Sequence, residues 1–162
     1  MTSAAPRRPD RLAPALAALL LVALVVPGLP AAAAGVFMEK SVAVPRDTKV
    51  PVEIAYEKAT ILWVESQNDP KDKDVAEAEK IDPDDKTIVV LRFTYKNEDY
   101  YGHKVKLRVI LLDDKGAVLA EGGRSATLDK GEPEDTVSFP IKVRTLDWPK
   151  AATLHVTATF GK

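Results

Sequence analysis

Cysteine is absent from all 162 residues, so disulfides, thiol nucleophiles, cysteine-ligated metals and a cysteine-linked lipid anchor are all excluded. Histidine and methionine are nearly absent too: the chain has His103 and His155, and only Met38 beyond Met1. A copper or zinc site needs several imidazole or sulfur donors converging in space. His103, in a loop between strands, and His155, on the solvent face of the last strand, read instead as ordinary surface histidines. No metal and no cofactor is expected. The eight glycines form no phosphate-cradling loop, and no Gly-x-Ser-x-Gly context surrounds Ser41, Ser66, Ser125 or Ser138. Catalytic residues are therefore expected to be none, and the chain is read as non-enzymatic. A strong charge of one sign is also missing. The net charge is −1 and stays small and negative once the basic leader is set aside, which argues against nucleic acid as a partner.

One long hydrophobic run is present. Arg7, Arg8 and Arg11 precede apolar residues 12–26, then Pro27-Gly28-Leu29-Pro30 and four alanines to Ala34, the layout of a cleaved secretory signal over residues 1–34. Ala32 and Ala34 supply the small residues before Gly35, or Ala31 and Ala33 do so one residue earlier. The run is interrupted by Pro14 and is shorter than the roughly 20 residues a membrane-spanning helix needs, so no stable membrane insertion is expected after cleavage. Export to the periplasm or the extracellular space follows.

From Thr87 onward apolar residues fall on a period of two, the pattern of strands with one face in a core. Val89, Leu91, Phe93 and Tyr95 form one inward set, and Val105, Leu107, Val109 and Leu111 form a second, alternating with Lys104, Lys106 and Arg108. Val137, Phe139, Ile141 and Val143 make a third, and Ala152, Leu154, Val156, Ala158 and Phe160 a fourth. Pro140 has no backbone donor and predicts an edge strand or a bulge. Asp113-Asp114-Lys115-Gly116 makes a hairpin turn into Val118 and Leu119. Residues 36–44, 50–56 and 59–66 are strand-like as well, with Trp63 assigned to the core. The predicted fold is all-β: a single immunoglobulin-like antiparallel sandwich of seven or eight strands over residues 35–162, with a short helical connection near 69–82. Asp69, ahead of Pro70, is placed to cap that helix. The acidic residues of this connection are interleaved with Lys71, Lys73, Lys80 and Lys86 and read as a solvated surface, not a calcium loop.

Alternating Val105 to Val109, Leu111-Leu112-Asp113, the Asp-Lys-Gly turn, Val118-Leu119, and then Leu128-Asp129-Lys130-Gly131-Glu132 before Phe139 form a recognisable order. This order resembles the FxLYD and DUF4352-like group of bacterial exported immunoglobulin-like domains, over about a third of the chain beyond the leader. The resemblance implies a sandwich that accompanies or binds another molecule, and it carries over no catalytic residues.

The remaining polar-aromatic candidates are Tyr100 and Tyr101, in the loop Tyr100-Tyr101-Gly102-His103, and Trp148, in Asp147-Trp148-Pro149. Exposed aromatics of this kind serve as stacking platforms for sugars, whereas packing at one end of the sandwich is the favoured role of Trp148. The expected function is an exported interaction or accessory domain of the cell envelope. Its partner is expected to be another envelope or secreted protein, and the alternative is carbohydrate or small-ligand binding through Tyr100, Tyr101 and Trp148.

Overall fold

The computed structural model describes residues 35–131 and 133–161. The expected export signal, residues 1–34, lies outside the described residues. Eight strands occur among the latter: β1 (Val36–Ala43), β2 (Val50–Tyr56), β3 (Ala59–Gln67), β4 (Lys86–Asn97), β5 (His103–Asp113), β6 (Val118–Leu128), β7 (Asp135–Arg144) and β8 (Ala151–Gly161). One helix, α1 (Asp72–Ile81), lies on the β3–β4 connection, and a 3-10 turn (Trp148–Lys150) leads into β8. The strands form two four-stranded antiparallel sheets, in the orders β1-β8-β5-β6 and β2-β3-β4-β7. The all-β sandwich follows, with its helical connection where the sequence places one.

The interleaved pairs β4–β7 and β5–β8 belong to different sheets, and the chain crosses between layers after β1, β4, β6 and β7. Immunoglobulin-like sandwiches are built on this arrangement. Here β1, first in the chain, takes the edge position beside β8 that such sandwiches give to their final strand.

Packing follows the period of two. Val105, Leu107, Val109 and Leu111 of β5 are buried against Val89, Leu91 and Phe93 of β4 and their neighbours in one core, while Lys104, Lys106 and Arg108 face solvent. Each such aliphatic side chain contributes about 1.5–3 kcal/mol relative to exposure. Phe93 stacks on Phe139 at 5.6 Å, and Tyr56 on Phe160 at 4.7 Å, the latter pair joining the two sheets. Pro140 lies on β7, an edge strand, with its ring in solvent. That position needs no inward donor.

Four local assignments differ from the sequence reading. A register shift between Ile61 and Trp63 keeps Ile61 and Val64 in the core and leaves Leu62 and Trp63 half-buried outside it, with the Lys49 ammonium 4.8 Å from the Trp63 ring centroid. A bulge adds one residue without changing the face of those beyond it. A second shift at Leu112/Asp113 buries Ala151 and exposes Ala152. Asp69 does not cap α1: its carboxylate turns back to Ser66 Oγ at 2.8 Å, and Asp74 Oδ2 accepts the Lys71 amide at 2.9 Å instead. His103 is the first residue of β5, in phase with Val105, and is buried.

Candidate functional site

The registers of β4 and β7 fix the two ends of the sandwich. Tyr95 pairs with Asp135 at one end and Lys86 with Arg144 at the other. Tyr100 and Tyr101 lie beyond the first end, and Trp148 beyond the second. The structure therefore brings the two tyrosines together and separates them from the tryptophan by the length of the strands.

Trp148 is 3% exposed and packs into the core. Arg46 closes this end, its Nη2 donating to the carbonyls of Trp148 (2.7 Å), Pro149 (2.9 Å) and Ala151 (2.6 Å), with the guanidinium 5.9 Å from the Trp148 ring centroid. Asp147 accepts from Arg144 Nε at 2.5 Å and from Lys150 Nζ at 3.0 Å. Burial opposes its ionisation, but the hydrogen bonds and charges of Arg144 and Lys150 outweigh burial and hold the carboxyl below the usual carboxylate range. This end is a structural seal.

The opposite end is built differently. Its β4–β5 loop hangs on Asn97, a buried amide that donates to the carbonyls of Tyr101 and Leu128, both at 2.9 Å, and accepts the Asp99 amide at 3.0 Å. The Asn97 carbonyl accepts from Gly131, and the Lys58 carbonyl accepts from Glu98. The β2–β3 turn, the β4–β5 loop and the β6–β7 connection are thus tied together around the buried Asn97, and a buried polar group holds a loop in one conformation when fully partnered.

On this frame Tyr100 is 85% exposed and Tyr101 54%. Lys58 Nζ lies 5.4 Å from the Tyr100 ring centroid. Tyr101 Oη donates to Glu57 Oε2 at 2.7 Å, and this hydrogen bond, then burial, then the charge of Asp99 push the phenol up to about 12. Below Tyr101, His103 Nε2 lies 3.1 Å from Asp99 Oδ2 and 3.9 Å from Glu57 Oε2. The His103 ring meets the edge of Tyr56 at 5.5 Å and a tilted Tyr101 at 4.9 Å. Glu57 occupies the hairpin turn with φ of +53°, a left-handed conformation that a glycine would adopt without penalty. A depression of about 420 Å³ opens beside these groups, lined by Tyr56, Glu57, Tyr101, His103, Lys104 and Gly161 among others.

Asn97, Glu57 and Asp99 are absent from the sequence-derived candidates, and His103 is set aside there as a surface histidine. For His103 a signal was available: continuing the β5 alternation one step back from Val105 puts it on the inward face. Glu57 and Asp99 are 42 residues apart and carry no mutual spacing signal.

No family model matches this chain, and no curated protein matches it. Among solved structures, a β-glucuronidase from glycoside hydrolase family 2 is similar to part of it, with 15% identity and a TM-score of 0.34. That similarity covers 41% of this chain and 7% of the enzyme's, so the shared segment is a small fraction of that protein.

Proposed function

We propose that this protein is an exported, non-catalytic interaction domain that contacts a partner protein of the cell envelope or secreted space through Tyr100 and Tyr101. The observation that carries the reading is the pairing of two exposed aromatic side chains with a loop whose backbone is fixed by the buried Asn97 amide. Tyrosine contributes a large amphipathic contact area, and a loop already in its bound shape loses little entropy on association. The raised Tyr101 phenol stays a neutral donor at physiological pH, which suits a contact better than acid–base chemistry. Export rests on residues 7–34 of the sequence.

A photo-reactive amino acid at position 100, installed in cells with the leader intact, is expected to form a discrete protein adduct. The same group at Lys115, in the opposite-end turn, is expected to form none. No adduct from position 100, or the same adduct from both, would remove the reading.

A carbohydrate ligand is the second reading, favoured by the depression beside Tyr101, where a phenol, a carboxylate and Lys104 converge. Trp148 has no part in it. Retention on a glycan array that is lost in Tyr100→Ala/Tyr101→Ala, with no protein adduct in cells, would select this reading over the first.

A further inference from the structure

We propose that Glu57, Asp99 and His103 form a binding site for one divalent transition-metal ion of the zinc type. One imidazole nitrogen and two carboxylate oxygens lie within 4.8 Å of one another. Zinc bonds of about 2.0–2.2 Å in a tetrahedron require donor atoms about 3.3–3.6 Å apart. The separations of His103 Nε2 from Asp99 (3.1 Å) and Glu57 (3.9 Å) bracket that value, and the two carboxylate oxygens lie within 4.8 Å of each other, so side-chain adjustment without backbone movement brings the three donors around one ion.

Charge supports the assignment. Glu57 and Asp99 make no ion pair with lysine or arginine among the described residues; His103 is the one cationic candidate within 4 Å of either, and Lys104 lines the depression beyond that distance. A neutral imidazole has one proton to donate from Nε2 and can serve one carboxylate, and Asp99 is the nearer. A dication in place of that proton serves both and neutralises two converging negative charges. The nitrogen donor and the small number of ligands select zinc-type ions over calcium, which takes six to eight oxygens.

The surroundings are those of a held ligand set. Asp99 Oδ1 accepts the Tyr100 amide at 3.0 Å, which leaves Oδ2 aimed at His103, and Tyr101 Oη orients the Glu57 oxygen nearest the histidine. Such outer hydrogen bonds fix ligand geometry in metal sites. The His103 ring is 3% exposed, clamped between Tyr56 and Tyr101, and the adjoining depression leaves room for a water or an incoming donor in the fourth position. Two side chains far apart in sequence are thereby joined through one ion, which fastens the β2–β3 turn to the tyrosine loop. The site stands whether or not Tyr100 and Tyr101 contact a partner.

The test is calorimetric titration of Zn²⁺ into the protein, purified without a histidine tag and stripped with chelator. One equivalent is expected to bind and raise the melting temperature. Glu57→Gln and Asp99→Asn are each expected to weaken binding about tenfold or more. Glu57 lies on an exposed turn, so its variant keeps the metal-free melting temperature and separates ligand loss from unfolding. Co²⁺ in place of Zn²⁺ is expected to give the intense visible absorption of a four-coordinate ion, lost in Glu57→Gln. No saturable binding at millimolar Zn²⁺ would overturn the proposal. So would unchanged affinity in both carboxylate variants, or loss of binding in His155→Ala, which would move the ion to the pair His155 and Glu39 on the outer sheet face.

Discussion

Ser66 has one hydroxyl proton and two acceptors in reach, the Pro45 carbonyl and Asp69 Oδ2, while Asp69 Oδ1 is buried without a partner. A protonated Asp69 resolves this, donating to Ser66, which then donates to Pro45. Consistently, burial first, and the neighbouring Asp47 charge after it, raise the Asp69 pKa against the lowering effects of Ser66, Lys71 and the Asp47 backbone amide. A raised acid favours the folded state below its unfolded pKa and loses that contribution as pH rises through the folded one. Asp69→Asn supplies the donor permanently, so its melting temperature is expected to exceed that of the parent at neutral pH, with the gap closing at about pH 3. An equal gap at both pH values in thermal scans would refute this account. Sequence alone shows Asp69 beside Pro70 and suggests a helix cap, because the competing serine is visible only once β3 ends beside it. His103 was legible from its phase in β5. Trp63 was not, since a bulge leaves no mark in a run of apolar residues.

At the scale of elements, β6 is the strand whose placement depends most on missing side chains. A Cβ on Gly123 would lie 2.4 Å from the Leu107 carbonyl oxygen and 3.1 Å from Arg108 Cα, both backbone atoms of the neighbouring β5. Backbone in a central strand has nowhere to move, so Gly123→Ala is expected to destabilise the protein by about 1–3 kcal/mol in urea unfolding. Gly161→Ala meets nothing within 4 Å and is expected to change stability by far less. Equal effects would show that strand propensity, and not close approach, decides the cost. β4, β5, β7 and β8 were legible because each buries one face, so hydrophobicity had to alternate. The full length of β6 was not, since Gly122 and Gly123 interrupt its alternation. Edge placement of β7 was legible from the missing amide of Pro140, whereas nothing within residues 36–43 names β8 as the partner of β1.

For the molecule as a whole, strand order separates two ends with different chemistry. One is closed by Trp148, Arg46 and Asp147, and the other presents tyrosines over a carboxylate–histidine cluster. Composition could supply the candidates for each end but not their distribution, because loop residues acquire neighbours only through the crossing of β4 to β5 and of β7 to β8. The antiparallel register of β1 with β8 sets Val36 opposite Phe160. A few added residues can therefore run from Gly161 to Gly35 as an ordinary hairpin, and the exposed backbone between Asp47 and Thr48 offers a place to open the chain. Such a circular permutant, beginning at β2 and ending with β1, is expected to keep the β circular-dichroism spectrum and cooperative melting of the parent. An unfolded product would mean that β1 must be made first. A folded one would make the leading strand a trailing one, and the order in which this sandwich is synthesised would be separable from the shape it reaches.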